Sequence, residues 1–323
     1  MDTTSFSSLK PYKNFTEASQ AVLEFLHERF GFALWLVTRT EQNEQIILSS
    51  EGHTYGVGSG DVLVWSESFC AQMVGGAPHI APNTSEVAAY VAAPVGQKFP
   101  VQAYIGIPLL RADGNLFGTL CAYDPKVQPE LIREEQALVE NLGRLLSTLL
   151  DYDLQAQTNA RELEKVKAEA HHDGLTGLFN QTAWLHLIAA EEERATRYGH
   201  SLSVALFDLD SLKYINDTQG HAAGDKLLKH VAEVLKSSVR ASDSVARIGG
   251  DEFAILLPET PKDELEAMLK RIAERLINEG LDVSIGFSVR KPKLGIEKAI
   301  EAADAAMYQD KKRRKAKPLI KAK

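Results

Sequence analysis

A mixed α/β (α+β) architecture, two domains joined by a long helix, is predicted from three observations. The chain's 323 residues exceed what one core usually serves. Apolar runs bounded by turn residues recur in both halves, and between the halves a heptad-spaced stripe continues without a break. The composition, 44% hydrophobic and 25% charged, is that of an ordinary globular protein. With 36 basic against 44 acidic residues the formal charge is −8, which argues against nucleic acid as a partner. No apolar stretch approaches the ~20 residues that span a bilayer. The opening Met1-Asp2-Thr3-Thr4-Ser5 begins no secretory signal, so no membrane partner and a cytoplasmic location are expected. Cys70 and Cys121 make no metal framework, and in a reducing compartment they are expected as buried, small apolar residues.

The first half predicts, in order, a helix over 15–30, strands over 32–38 and 45–50, a short helix near 66–74, strands over 103–110 and 116–123, and a closing helix from near Glu130. This order, with the phrases Ala103-Tyr104-Ile105-Gly106-Ile107-Pro108-Leu109 and Leu116-Phe117-Gly118-Thr119-Leu120-Cys121-Ala122, resembles a GAF sensory domain. The resemblance implies an α/β sheet, often with a small ligand held over it. The sequence does not name that ligand, and such a domain could serve dimerisation alone. Trp65, Phe69, Cys70, His79, Tyr90 and Tyr104 are candidate lining residues, with ordinary core packing as the alternative for each.

Leu138, Leu142, Leu145, Leu149, Tyr152, Ala156, Asn159, Leu163, Val166 and Ala170 alternate steps of four and three residues. A lone amphipathic helix drifts off such a seam, so a two-stranded coiled coil and hence a homodimer are expected. Asn159 on the seam would fix the register of two parallel chains. The alternative is a helix packed on its own domain, at least from Leu138 to Leu149. The expected boundaries are 1–137 for the sensory domain, 138–170 for the coil, 171–316 for the second domain and 317–323 for a tail.

In the second half, Ser203-Val204-Ala205-Leu206-Phe207 reads as a buried strand that runs into Asp208-Leu209-Asp210. Further on, Arg247-Ile248-Gly249-Gly250-Asp251-Glu252-Phe253 reads as a tight hairpin, its glycines supplying positive φ and leaving room for a bulky ligand against the backbone. Turn formation has no use for the two acids. Carboxylates at the end of a core strand are costly unless a cation compensates them. Asp208 and Asp251 on neighbouring strands would make a hard oxygen site suited to Mg²⁺. Strand-end acids capping nearby helices are the alternative.

Residues 171–315 resemble a GGDEF domain, the diguanylate cyclase family. The matching segments are Asp173-Gly174-Leu175-Thr176-Gly177-Leu178-Phe179-Asn180, Asp208-Leu209-Asp210, Lys213-Tyr214-Ile215-Asn216-Asp217, Gly220-His221, Gly224-Asp225, Arg240 through Asp243, Arg247 to Phe253, Ser284-Ile285-Gly286, and Ala303-Asp304 with Tyr308 and Lys311. Within the nucleotidyl-cyclase, palm-like architecture so implied, two GTP molecules are condensed into cyclic di-GMP and two pyrophosphates by in-line attack between facing half-sites. The resemblance gives Asp208, Asp251 and the Leu209 carbonyl as ligands of Mg²⁺, with Mn²⁺ as a substitute, and makes Asp208, Asp251 and Glu252 the catalytic acids. Asn216 and Asp225 would bind guanine, with Gly249 and Gly250 at the nucleotide. Lys213, the N–H groups of Leu212 and Lys213, Lys311 and Lys315 would hold phosphates. Two of these positions admit local readings: Asn216 as a turn residue, and Gly224-Asp225 as a helix N-terminus with its cap.

The chain departs from the family pattern at its end. The closing Gly-Arg-Asn stands here as Arg314-Lys315-Ala316, and Asp310 replaces the alanine before the helix lysine. Lysine lacks the bidentate fork of arginine, so looser triphosphate binding is expected. Ile248 and Gln181 replace a usual tyrosine and arginine without touching the chemistry. Arg240-Ala241-Ser242-Asp243 matches the family's product-inhibition motif, with Arg271 near a supporting arginine, so cyclic di-GMP is also expected as a feedback ligand. An Arg-x-x-Asp pair on its own would mean only a helix-end ion pair. Two other functions remain at this stage, a silent module that binds GTP or cyclic di-GMP and a transferase that uses ATP.

Overall fold

The computed structural model describes residues 10–168 and 171–316, without the side chains at 165–168 and 315–316. The Val166 and Lys315 side chains, Ala170 and the tail 317–323 therefore lie outside what is described. The chain divides near Asn159 and Ala160 into two compact units. No helix among the described residues is long and apolar enough to cross a membrane.

In the first unit, α1 spans Phe15–Phe30, opened by the Asn14 side chain accepting from the Glu17 N–H at 2.9 Å. Six antiparallel strands follow: β1 Leu34–Glu41, β2 Glu44–Glu51, β3 Val62–Val64, β4 Ile80–Ala81, β5 Ala103–Leu110 and β6 Leu116–Asp124. Their order across the sheet is β3-β2-β1-β6-β5-β4. Between β3 and β5 lie three short helices, α2 Phe69–Val74, α3 Ala88–Ala92 and α4 Pro94–Lys98.

One face of this sheet buries Trp35, Val37, Ile105 and Leu120 against α1 and the long helix α5, Gln136–Ala168. The other face buries Leu36, Ile47, Tyr104 and Cys121 against Phe69, Met73 and Tyr90. Phe69, Cys70, Tyr90 and Tyr104 are thus core residues, as their alternative reading held, with the Phe69 and Tyr90 rings 4.9 Å apart. Both cysteines are free and buried.

Helix α5 uses two stripes. Val139, Leu146 and Leu150 are buried in its own domain's core. Of the heptad residues, Leu142 packs against that core and Leu138 is half-buried, while Leu145 at 61%, Leu149 at 42%, Tyr152 at 71% and Leu163 at 55% stay exposed. The helix therefore packs on its own sheet without using up the seam.

The second unit begins with the last turns of α5, which are fastened by charge to α6, Gln181–Tyr198. Arg161 grips the buried Glu191 through two bonds of 2.8 and 3.1 Å, and Arg194 bonds Glu191 at 2.6 Å. Four antiparallel strands make its sheet, ordered β10-β7-β9-β8: β7 Leu202–Leu209, β8 Ser244–Arg247, β9 Glu252–Pro258 and β10 Val283–Val289. The remaining helices are α7 Leu212–Gln219, α8 His221–Ser237, α9 Lys262–Asn278 and α10 Gly295–Ala316.

Alternate residues of β7 face opposite layers. Ala205, Phe207 and Leu209 meet the layer of α8 and α9, while Leu202, Val204 and Leu206 meet that of α6 and α10. Both faces are covered, which is why this strand reads as an apolar run rather than an alternation.

Candidate active site

The covered strand β7 carries its acids out at one end of the sheet. Register places Asp208 opposite Glu252 of β9 and opposite Ser284 of β10. The Leu209 N–H donates to the Asp251 carbonyl at 3.0 Å, which ties the backbone next to Asp208 to Asp251. By strand alternation Asp208 and Glu252 lie on the face covered by α10.

That helix sits unusually close to the sheet. A Cβ on Gly286 would lie 2.1 Å from the Ala303 carbonyl oxygen and 2.2 Å from the Met307 nitrogen, so only glycine admits this approach. One turn beyond, Lys311 places its Nζ 2.5 Å from Asp208 Oδ1. Burial pulls the Lys311 ammonium down, but the bond to Asp208 and the charges of Asp208, Asp210 and Asp251 outweigh it and hold the pKa above its ordinary value. Glu252 moves the other way from most surface acids. Burial first, then the charges of Asp251, Asp208 and Asp304, raise its pKa, with Lys311 as the opposing charge.

This donor set fits magnesium. The ion takes one or two carboxylates and completes its shell with phosphate and water oxygens. Among the described residues no three His, Cys, Asp or Glu side chains gather as a ready cage. Two strand-end carboxylates with a backbone carbonyl, crowded by further acids, are the open arrangement that a nucleotide-borne metal requires.

The hairpin differs from the expectation in one respect. Neither Gly249 nor Gly250 has positive φ, because four residues, 248–251, separate β8 from β9 rather than a two-residue turn. Gly249 instead leaves room for the Glu252 side chain: a Cβ there would meet Glu252 Oε2 at 2.5 Å and push that carboxyl aside. Gly250 has open space where a side chain would stand.

From the end of β7 the chain enters the corner between α7 and α8. Ser211 caps α7 without a side-chain bond, so the first N–H groups of this helix, those of Leu212 and Lys213 among them, point out for an external acceptor. Lys213 is exposed and Asn216 half-buried. The chain then reverses at Gly220, whose φ of 83° suits glycine. Helix α8 starts at His221, so Gly224-Asp225 lies inside the helix, and the cap reading is set aside. A Cβ on Gly224 would fall 2.0 Å from Asn216 Oδ1. Gly224 therefore lets the two helices meet, bringing Asn216 beside the turn that bears the exposed Asp225.

Three residues without an assigned role in the sequence reading hold this frame. Arg247 NH2 donates to the Gly250 carbonyl at 2.7 Å, and NH1 to both Asp173 oxygens at 3.2 and 3.3 Å, clamping the hairpin tip. Burial opposes ionisation of Asp173, but bonds from Thr176 and Arg247 hold its carboxyl below the usual range. Asp210 accepts from Ser284 Oγ at 2.6 Å, while its other oxygen is buried with no partner among the described residues. Arg247 and Asp173 both stood in matched motifs, yet 74 positions of sequence separate them and hide the pairing.

On α10, Asp310 accepts from the Ile285 N–H at 3.1 Å and from Arg314 Nε at 2.9 Å. Arg314 also bonds Asp282 at 3.1 Å and so is engaged away from any phosphate. On the far side of the sheet, Asp243 accepts from the Arg240 N–H at 2.9 Å and shapes that turn rather than pairing with the guanidinium. The guanidinium reaches Glu264 at 3.0 Å on α9, and Arg271 is exposed two turns further along the same helix.

A family model described as the GGDEF domain of diguanylate cyclase matches residues 170–317, and a GAF domain model matches residues 14–150. Among curated proteins, the diguanylate cyclase DgcP of Escherichia coli is 28% identical over 68% of this chain and 67% of its own length. DgcP of Pseudomonas aeruginosa is 33% identical over 63% of this chain and 31% of its own length. The diguanylate cyclase DgcM of Escherichia coli is 31% identical over 54% of this chain and 43% of its own length, so the chain spans less than half of the latter two. The chain thus carries a domain of the GAF family over 14–150 ahead of a domain of the GGDEF family over 170–317, and these relatives that match it are named diguanylate cyclase.

Proposed function

We propose that this chain condenses two GTP molecules into cyclic di-GMP, releasing two pyrophosphates, with each subunit of a homodimer presenting one half-site. The observation that carries this is the bond from the Leu209 N–H to the Asp251 carbonyl beside the Asp208–Glu252 pair, at the end of β7 from which the chain enters the α7–α8 corner bearing Asn216 and Asp225. Mg²⁺, or Mn²⁺ in its place, would be held by Asp208, Asp251 and the Leu209 carbonyl and would neutralise charge on the triphosphate.

The chain's own groups do the rest. The open N–H groups of Leu212 and Lys213 and the Lys213 side chain face phosphates, and Gly250 leaves room for them. Lys311 is bonded to Asp208 in the nucleotide-free chain and can turn to phosphate once that carboxylate is otherwise engaged. Lys315 would stand one turn beyond it. Glu252, with its raised pKa, is the better placed acid to accept the proton of an attacking 3′-hydroxyl. The exposed seam of Leu145, Leu149, Tyr152 and Leu163 supports pairing of two α5 helices, and the charge-fastened end of α5 would carry the state of the GAF domain into the cyclase domain.

The direct test is purified protein with GTP and Mg²⁺ at concentrations that permit dimers. Cyclic di-GMP is the expected product, and its absence at every concentration would contradict the proposal. A silent nucleotide-binding module is the competing reading, favoured by the engagement of Arg314 with Asp310 and Asp282, and that same absence would support it.

Product feedback belongs to the same proposal. The Arg240 guanidinium is exposed and planar, suited to stack on guanine and to pair with phosphate. Arg240→Ala is expected to relieve inhibition by cyclic di-GMP with the initial rate unchanged. Equal inhibition of variant and wild type would remove this part.

A further inference from the structure

We propose that Asp310 is a positioning residue that sets the affinity of this chain for a nucleoside triphosphate, by holding the Arg314 guanidinium away from the β- and γ-phosphates. The proposal rests on the nucleotide site given above. It concerns two residues at which the chain departs from the family pattern together, Asp310 in place of an alanine and Arg314 in place of the closing glycine.

The two departures are bonded to each other. They lie four residues apart on α10, and Arg314 Nε donates to Asp310 Oδ2 at 2.9 Å. The same oxygen accepts from the Ile285 N–H at 3.1 Å, which fixes the carboxylate against β10. The Asp310 side chain is only 10% exposed, and Arg313 donates to its other oxygen. Burial opposes ionisation of Asp310, but these bonds hold its carboxyl below the usual range. The second bond of Arg314, from Nη1 to Asp282 at 3.1 Å, goes to an exposed carboxylate and is screened by solvent. Asp310 therefore decides where Arg314 points.

The pair stands at the end of the sheet that carries the site acids. Asp282 precedes β10, and its carbonyl accepts from the N–H of Asp210, two residues past Asp208, at 3.0 Å. Lys311, three residues before Arg314, reaches Asp208 itself. Residues three apart on a helix are neighbours on its surface, so Lys311 and Arg314 leave α10 side by side. A guanidinium clasps two phosphate oxygens with parallel N–H bonds, and an ammonium does not. Released from Asp310, Arg314 would give the triphosphate the clasp that Lys213 and Lys311 lack.

Calorimetry on the full chain with Mg²⁺ tests this. The probes are GMP and a GTP analogue made non-reactive by a methylene bridge between its α- and β-phosphorus atoms. Asp310→Asn keeps an oxygen for the Ile285 N–H and removes the charge. It is expected to bind the analogue about tenfold tighter than wild type, the worth of one charge-assisted hydrogen bond, and GMP no tighter. Arg314→Ala alone is expected to leave both affinities as in wild type, and to abolish the gain when added to Asp310→Asn. A carboxylate that only anchored α10 would instead weaken both ligands when neutralised. If Asp310→Asn does not fold, Asp310→Ala takes its place. Analogue affinity unchanged or lower in the folded variant, a gain that survives Arg314→Ala, or an equal gain for GMP would each overturn the proposal. Failure of the cyclase reading shows separately, as absence of cyclic di-GMP from protein with this binding pattern.

Discussion

Replacing Asp251 with asparagine is expected to lower the proposed cyclic di-GMP formation by about 10²–10³-fold, the usual loss when one preorganised charge-stabilising group is removed. The same change is expected to raise the melting temperature of the nucleotide-free chain at neutral pH, because Asp251 is the foremost charge acting on Glu252 and the least of those that hold Lys311. The reason is the crowding of acids. After burial, the Asp251 charge is the largest cause of the raised Glu252 pKa. A carboxyl whose pKa is higher in the folded than in the unfolded chain costs stability wherever it is ionised in both states. That cost is complete above the folded pKa and vanishes below the ordinary value of 4.5, where Glu252 is protonated in both states. The gain in melting temperature should therefore be present at neutral pH and fade as pH falls through 4.5. Rate assays and thermal melts on one preparation check both halves, and a lower melting temperature at neutral pH would show that Asp251 serves the fold instead.

Asp225→Ala is the second large effect, and it acts on selectivity. A carboxylate accepts from guanine N1–H and the exocyclic amine, whereas adenine presents an acceptor at N1. Loss of that pairing should reduce the preference for GTP over ATP by about 10²–10⁴-fold. The fold makes this a clean substitution, because Asp225 is exposed on α8 and bears none of the packing that its neighbour Gly224 supplies to Asn216. The measurement is kcat/KM for the two nucleotides. An unchanged ratio would mean that the base is read elsewhere.

Much of this layout was legible in the chain because local signals and tertiary structure agree. Helix α1 occupies the predicted 15–30 since Asn14 caps it, and β5 the predicted 103–110. Strand β7 was visible as an apolar run because layers cover both its faces. The strands β3 and β4 and the helices α3 and α4 were missed. They span only two to five residues each, too few to leave a periodic trace.

The glycines were found for partly the wrong reason. Gly249 makes space for Glu252, Gly224 for Asn216 and Gly286 for α10, and such needs depend on what arrives from elsewhere in the chain. The clamp from Arg247 to Asp173 and the diversion of Arg314 by Asp310 and Asp282 are likewise tertiary facts. The heptad stripe shows a related limit. Spacing revealed a seam, but only packing shows that the domain itself uses Leu142 of the seam together with Val139, Leu146 and Leu150 beside it.

The central claim is that Asp208 and Asp251 together hold magnesium beneath a guanosine triphosphate. A crystal structure of the chain with Mg²⁺ and a non-reactive GTP analogue tests it most directly. The expected result is an ion with an oxygen from each carboxylate at about 2.0–2.1 Å, Lys311 released from Asp208, and the base against Asn216 and Asp225. An ion bound by neither carboxylate, with Lys311 still seated on Asp208 beside a bound nucleotide, would contradict it.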